Sequence, residues 1–167
     1  RVFNVGSPGL DNIKKIKLLK REEFEKAIDF KLGRINFLVT YHPVTLCQEG
    51  PGKAMQALFK AIDKFPSSHI IFTMPNSDMG NKIIGQMIDS YVKNNPDRAK
   101  SFISLGQLRY MSAITNVNLI LGNSSSGLME VPLFNKPTVN IGTRQKGRLR
   151  ASSVIDCEEN ATSIASA

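Results

Sequence analysis

The sequence predicts an α/β protein with a Rossmann-like, doubly wound parallel sheet that is covered by helices on both faces. Short apolar runs typical of strands alternate with segments whose apolar residues recur at helical spacing. The central run Asn118–Leu121 carries consecutive apolar residues, as expected of a strand buried on both faces. A chain of 167 residues has the length of about one domain. Alternating strands and helices within one domain favour a parallel sheet with right-handed crossovers.

The first half of the chain begins with a predicted strand at Val2–Val5, followed by the turn Gly6–Gly9. Apolar residues then recur every three residues, so a helix is predicted over Leu10–Leu19. Pro51 or Gly52 opens another helix, because proline is tolerated in a helix's first turn. The other elements predicted in this half are a helix at Arg21–Phe30 and strands at Ile35–Tyr41 and His69–Met74.

The second half continues the same alternation. A helix follows Pro75-Asn76-Ser77-Asp78 and ends near Asn94, where Asn95-Pro96-Asp97 stops it. The elements predicted after it are a strand at Ser101–Leu105, a helix at Leu108–Thr115, a strand at Asn118–Leu121, a helix at Ser124–Leu133, strands at Thr138–Ile141 and Ser153–Asp156, and a closing helix.

Charge and cysteine content limit the classes of function. The chain carries 22 basic and 14 acidic side chains, a net charge of +8, which fits either a solvated basic face or a phosphorylated ligand. No nucleic-acid-binding motif accompanies these charges, so we do not expect a nucleic acid partner. Cys47 and Cys157 are too far apart for a metal-ligand pair, and no metal or cofactor is expected. No apolar run approaches about 18 residues, so no membrane span is predicted, and reduced thiols indicate the cytoplasm.

The segment Gly122–Gly127 is the strongest candidate for a binding site. In doubly wound sheets, ligands bind beyond the carboxyl ends of the strands, and this segment follows a predicted strand. Small residues let an anion approach the backbone, free N–H groups at a helix start attract it, and Ser124 and Ser125 add hydroxyl donors. Simple N-capping by serine is the alternative. The absence of a following Gly-Lys-Ser/Thr excludes a Walker loop.

Three further features follow predicted strands or the candidate loop. Glu130 could accept hydrogen bonds from ribose hydroxyls, or it could be an ordinary solvent-facing helix charge. The segment Gly142–Arg148 has three cations and two glycines, which suit phosphate binding or a plain basic surface loop. His42 ends a strand and is kept extended by Pro43; it could serve as an acid, base or cation near a phosphate, or be purely structural.

These segments together resemble the UDP-N-acetylglucosamine 2-epimerase family, whose GT-B fold has two Rossmann-like domains facing a cleft. The pair Asn-Ser-Ser-Ser-Gly and Gly-Thr-Arg-Gln is similar to the hydrolysing branch, which serves sialic acid biosynthesis, whereas the non-hydrolysing branch usually has Asp-Ser-Gly-Gly in the first position. The matching stretches are Val5–Asp11, Tyr41–Thr45, Pro75–Gly80, Gly122–Gly127 and Pro137–Arg148.

The resemblance implies a UDP site with defined roles. Ser124 and Ser125 match the family's diphosphate-binding serines, and Glu130 matches its ribose-binding carboxylate. The backbone of Leu105 would meet the uracil, and His42 would support catalysis close to the diphosphate. The remaining residues that the resemblance assigns to this site are Arg144 in the nucleotide site, Asn76 in a stretch lining the cleft, and Gly6 at the junction between the two domains.

The resemblance also implies an activity and a domain organisation. The whole enzyme would release N-acetylmannosamine and UDP from UDP-N-acetylglucosamine by anti-elimination and hydration. Residues 1–19 would form an interdomain junction, and residues 20–167 the carboxyl-terminal nucleotide-binding domain. The proton-transferring carboxylates would come from an amino-terminal domain, so we expect this chain alone to bind UDP weakly and to turn over nothing. A homo-oligomer of the full-length enzyme is expected.

Three alternatives stay open from the sequence. A UDP-diacetamido-trideoxy-sugar 2-epimerase of the legionaminic acid pathway would use the same UDP contacts. A glycosyltransferase nucleotide domain shares the fold and a ribose-binding glutamate. A non-catalytic binding module for anionic ligands or nucleic acid is the third. Gly85 and Gln86 stand where the animal enzymes' allosteric site needs cations, so feedback inhibition by a sialyl nucleotide is not expected.

Overall fold

A computed structural model describes residues 1, 3, 8–13, 15–43, 51–75 and 81–167. The strand predicted at Val2–Val5 and the candidate residues Gly6 and Asn76 lie outside the described residues. The helices are α1 Pro8–Ile13, α2 Arg21–Ile28, α3 Pro51–Ile62, α4 Asn81–Asn94, α5 Gly106–Asn116, α6 Ser126–Met129 and α7 Ala161–Ser166. The strands are β1 Ile35–Thr40, β2 Ser68–Thr73, β3 Ala99–Phe102, β4 Leu119–Gly122, β5 Thr138–Ile141 and β6 Val154–Cys157.

The described strands form one six-stranded parallel sheet in the order β3-β2-β1-β4-β5-β6. The predicted doubly wound architecture is therefore confirmed. The strand order reverses direction between β1 and β4, where Thr40 of β1 pairs with Gly122 of β4. The loops that leave β1 and β4 must diverge at this switch point, which opens a crevice beyond their carboxyl ends.

Each face of the sheet has its own apolar core. The first core contains Phe37 and Val39 of β1, Tyr41 just beyond its end, and the inner faces of α3, α4 and α7. The second core contains Leu38 of β1 and Ile120 of β4, together with the inner faces of α2 and α5. Because successive side chains of a strand point to opposite faces, a continuous apolar run supplies both cores at once. Among the described residues, no helix is long and apolar enough to cross a membrane.

The helix predicted over Leu10–Leu19 is wrong in its second half, because α1 ends at Ile13. The following segment runs alongside α5 instead. The N–H of Leu19 donates to Ser112 Oγ at 3.0 Å, and its carbonyl accepts a hydrogen bond from Asn116 Nδ2 at 3.1 Å. These tertiary hydrogen bonds replace the local ones that a longer helix would provide.

Two predicted boundaries in the second half also differ. The helix expected over Ser124–Leu133 is a single α turn, α6, followed by a 3₁₀ turn at Val131–Phe134. Pro132 explains the break, because it has no N–H to donate within a helix and its ring crowds the preceding turn. The strand expected at Ser101–Leu105 is β3, which pairs with β2 over Ala99–Phe102 and so begins and ends earlier than predicted. Ile103 lies beyond its end and is 90% exposed.

Candidate functional site

A cleft of about 510 Å³ lies at the carboxyl ends of β1 and β2, between the start of α5 and the segment that follows β4. This volume is in the range of small-molecule sites, which is roughly 300–1,000 Å³. Four residues that the sequence assigned to one site contribute to its wall: His42, Leu105, Ser124 and Glu130. The fold brings them together because the carboxyl ends of parallel strands share one edge of the sheet.

Gly122 allows β1 and β4 to approach closely at the switch point. It has a φ of 136°, a conformation that is essentially restricted to glycine. A Cβ atom at this position would collide with the carbonyl oxygen of Thr40. The close approach carries the chain directly from β4 into residues 124–126, called the serine segment below, which lie beside the end of β1.

The serine segment presents backbone donors rather than a strong helix dipole. Because α6 is a single turn, few peptide dipoles add up along it, and the helix dipole expected from the sequence contributes little to anion binding here. Within the part of the chain that the structure describes, the N–H groups of Ser124 and Ser125 have no hydrogen-bond acceptor. Ser125 is half-buried but does not line the cleft, whereas Ser124 does. An anion at this segment could accept from both free N–H groups.

Asn123 connects the end of β4 to His42. It is fully buried, and its Oδ1 accepts a hydrogen bond from the His42 N–H at 2.8 Å. Its Nδ2 donates to the His42 carbonyl, also at 2.8 Å. The backbone of His42 is therefore fixed on both of its polar groups. No role for Asn123 was predicted from the sequence, although an asparagine directly after a strand-ending glycine was a usable signal.

Arg144 and Gln145 lie behind the serine segment, in the loop after β5. Arg144 Nη1 donates to the carbonyl of Asn123 at 3.0 Å, and Gln145 Nε2 donates to the same oxygen at 2.7 Å. Gln145 is buried, whereas Arg144 is exposed and does not line the cleft. The structure thus brings Arg144 to the neighbouring segment but not into the cleft wall.

A buried carboxylate oxygen on the cleft side of α6 has no partner within the described ranges. Oε2 of Glu130 is buried and accepts no hydrogen bond. Glu130 lines the cleft. A buried carboxylate oxygen without a donor is costly, and an ionised carboxylate can only accept. This end of the cleft therefore suits a ligand that carries hydroxyl donors.

The floor of the cleft is polar and uncharged. The hydroxyls of Thr40 and Thr73 are 2.6 Å apart in a buried hydrogen bond. Burial raises the pKa of the Tyr110 hydroxyl. Side-chain hydrogen bonds with Ser126 and Thr40 lower this pKa, the nearby charge of Glu130 raises it, and the net shift is upward. Tyr110 therefore stays neutral at physiological pH and does not repel an anionic ligand.

A second cleft, of about 570 Å³, lies at the carboxyl ends of β5 and β6. Its acidic side chains already have protein partners: Asn140 donates to Asp156 at 2.7 Å, and Tyr41 donates to Glu159 at 2.8 Å. Although this cleft is larger, it lies away from the switch point. The cleft that contains His42 and Glu130 is therefore the candidate functional site. No group of three or more possible metal-ligating side chains is present in the described part of the chain.

The family model of UDP-N-acetylglucosamine 2-epimerase matches residues 1–167. The chain belongs to this family. A 2-epimerase relative from Campylobacter jejuni, named GDP/UDP-N,N'-diacetylbacillosamine 2-epimerase (hydrolyzing), is 40% identical over 160 residues, covering 96% of this chain and 42% of the relative. The UDP-N,N'-diacetylbacillosamine 2-epimerase (hydrolyzing) of Legionella pneumophila is 34% identical over 157 residues, covering 94% of this chain and 41% of the relative.

Two solved structures have folds similar to that of this chain. The S. aureus MnaA–UDP co-structure has a TM-score of 0.67 at 20% identity, covering 96% of this chain and 42% of that protein. The C-terminal domain of a group 1 glycosyl transferase from Francisella tularensis has a TM-score of 0.56 at 8% identity, covering 88% and 79%. The chain has the fold of the carboxyl-terminal domain of GT-B enzymes, and it spans about 42% of the length of the first relative.

Proposed function

We propose that this chain is the UDP-binding half of a hydrolysing 2-epimerase, which converts UDP-N-acetylglucosamine and water into N-acetylmannosamine and UDP. The observation that carries the proposal is the cleft at the switch point. Among the described residues, it combines backbone donors that have no acceptor, at the serine segment, with a buried carboxylate oxygen of Glu130 that accepts no hydrogen bond. A nucleoside diphosphate has both complementary parts, because its phosphates accept hydrogen bonds and its ribose donates them.

The proposed orientation of UDP follows from these two requirements. The diphosphate lies at the N–H groups of Ser124 and Ser125, and the ribose hydroxyls donate to Glu130. The uracil then lies at the start of α5, against the backbone of Leu105, which also lines the cleft. Arg144 stabilises the diphosphate either directly or through the serine segment, whose preceding carbonyl it holds at 3.0 Å. Gly6 and Asn76 complete the proposed site from outside the described residues.

The proposed reaction has two stages. A base removes the proton at sugar C2 while the C1–O bond to UDP breaks on the opposite face, which gives 2-acetamidoglucal and UDP. Water then adds across the double bond, with hydroxide to C1 and a proton to C2 from the other face. This chain stabilises the charge that develops on the departing diphosphate through preorganised N–H donors. His42, whose side chain lines the same cleft, supports that departure.

A second candidate substrate is UDP-N,N'-diacetylbacillosamine. It is favoured by the names of the two relatives at 40% and 34% identity, which both refer to this sugar nucleotide. The contacts proposed here engage the nucleotide and not the substituents of the sugar, so they serve both substrates equally. Sugar specificity would then depend on the other half of the enzyme.

The proposed domain organisation assigns the remaining chemistry to that other half. Residues 1–19 form the interdomain junction, and residues 20–167 form the nucleotide-binding domain. An amino-terminal domain of the same protein supplies the carboxylates that move protons at C2. The proposed full-length enzyme is a cytoplasmic homo-oligomer, and this chain alone binds UDP without turnover.

The test follows product formation by NMR after incubating the full-length protein with each sugar nucleotide separately. We expect free N-acetylmannosamine plus UDP from the first substrate, or the corresponding free 2-epimer of the diacetamido sugar from the second. An epimerised sugar still attached to UDP would contradict hydrolysis. Turnover that requires an added sugar acceptor would contradict the epimerase proposal and favour a glycosyltransferase. Displacement of UDP from the chain by duplex DNA would favour a general anion-binding module.

A further inference from the structure

We infer that Asn123 is a positioning residue, which holds His42 in the orientation that the reaction needs. The inference rests on the proposed function, because it assigns to Asn123 an effect on the catalytic step. Asn123 has no atom in the cleft wall and is fully buried, so any effect on the reaction must pass through its neighbours. Two of its four hydrogen-bonding groups, the side-chain oxygen and the side-chain nitrogen, bond to the backbone of His42.

The side-chain amide of Asn123 imitates a peptide group. It offers one acceptor to the His42 N–H and one donor to the His42 carbonyl, both at 2.8 Å. The backbone N–H of Asn123 donates to the carbonyl of Thr40 at 3.2 Å. The pairing between β1 and β4 therefore extends beyond Gly122 by one further link. Among side chains of this length, only asparagine carries both a donor and an acceptor in one planar group.

Asn123 is itself held from the other side. Its carbonyl oxygen accepts hydrogen bonds from Arg144 at 3.0 Å and from Gln145 at 2.7 Å. Its side chain therefore has little freedom to turn away from His42. Pro43 adds a second restriction, because a residue that precedes proline is confined to extended conformations. The direction in which the imidazole leaves the backbone is fixed by these contacts.

Asn123→Ser would remove both bonds to His42 without burying a charge, because a serine side chain cannot present a donor and an acceptor in one planar group. The backbone of His42 could then turn, and the imidazole would shift with it. Displacement of a reacting group by about 1 Å can reduce turnover on the order of 100-fold.

The chain contains a matched control for this substitution. Asn36 is also buried, and its side-chain amide makes the same pair of bonds with a backbone: it accepts from the Gly33 N–H at 2.8 Å and donates to the Gly33 carbonyl at 3.0 Å. Asn36 lies at the amino end of β1, about 20 Å from His42 along the strand. Asn36→Ser therefore removes the same pair of bonds far from the cleft.

The experiment compares Asn123→Ser with Asn36→Ser in the full-length protein. We expect Asn123→Ser to lower kcat about 10- to 100-fold while the Kd for UDP changes less than about 3-fold, because the proposed UDP contacts are made by other residues. Asn36→Ser should leave kcat within about 2-fold of the wild type, even if both variants unfold at lower temperature. Equal losses of kcat in the two variants would overturn the inference.

A double-mutant cycle with His42→Ala tests whether Asn123 acts through His42. The double variant should be no slower than His42→Ala alone, because the residue being positioned is already gone. Independent, multiplicative losses would overturn the inference. If Asn123→Ser does not fold, Asn123→Ala takes its place, with Asn36→Ala as its control. A wild-type protein without turnover or UDP binding would refute the proposed function itself, whereas an active wild type with multiplicative losses refutes only the role of Asn123.

Discussion

Replacing Glu130 with alanine gives the most direct test of how the cleft binds a nucleotide. Oε2 of Glu130 is buried without a donor in the described part of the free chain. If a ribose hydroxyl donates to it, one charge-assisted hydrogen bond forms, which is worth about 1.5–3 kcal/mol. Since about 1.4 kcal/mol corresponds to a factor of ten, Glu130→Ala should raise the Kd for UDP roughly 10- to 150-fold.

The assay is isothermal titration of the 167-residue chain with UDP and with 2',3'-dideoxy-UDP. The wild type should prefer UDP by about the same factor of 10 to 150, and Glu130→Ala should lose most of that preference. Glu22→Ala is the matched control, because Glu22 is an exposed glutamate on α2. It should leave both affinities unchanged.

Two results would refute this reasoning. One is a Glu130→Ala variant that still distinguishes UDP from the dideoxy compound as strongly as the wild type. The other is a clear loss of stability in the ligand-free variant. Removing a buried carboxylate oxygen that has no donor should leave the unfolding temperature unchanged or raise it, because an uncompensated desolvation cost disappears.

Two further predictions concern stability, measured by urea unfolding of the chain. Gly122→Ala should lower the free energy of unfolding by about 4 kcal/mol, because it combines a strained φ of 136° with a collision at the Thr40 carbonyl. Gly85→Ala is the control: no atom lies within 4 Å of the new Cβ, so this variant should be neutral or stabilising by up to about 1 kcal/mol. Equal effects of the two substitutions would contradict this prediction. Burial raises the pKa of Glu25, but hydrogen bonds, first from Lys31, outweigh it and leave the pKa below its ordinary value. A lowered carboxyl pKa stabilises the fold above the unfolded-state pKa of about 4.3 and loses this contribution as the pH falls through the folded-state pKa. Glu25→Gln should therefore cost about 1 kcal/mol at pH 7, and the difference from the wild type should shrink below about pH 4; a difference that persists there would contradict it.

The architecture and much of the cleft follow from local sequence patterns. Strands buried on both faces require consecutive apolar residues, so the order of strands and helices can be read along the chain. Once the sheet is known to be parallel, its carboxyl ends must meet, and residues as distant as His42 and Glu130 must share an edge. Their convergence on one cleft is therefore a consequence of topology and needs no knowledge of side-chain contacts.

The parts that could not be predicted depend on which distant partner a polar group selects. Leu19 leaves the helical pattern because Ser112 and Asn116 of α5 satisfy its backbone. Arg144 was expected in the nucleotide site, and its guanidinium donates to the carbonyl of Asn123, a partner that the sequence did not indicate. Side-chain amides and guanidinium groups have several possible partners at similar energy, so tertiary packing decides between them.

The two apolar cores differ in how much they contribute to the wall of the cleft. Leu105 and Met111 are buried in the second core and line the cleft, whereas the first core meets the cleft through Met74, a half-buried residue packed against it. Substitutions that improve packing between β1 and α3, α4 or α7 can therefore be made without reshaping the wall around the nucleotide. An effort to raise the thermal tolerance of the protein should begin on that face. Changes in nucleotide preference, in contrast, must be sought beside α5, where any gain is coupled to the packing of the second core.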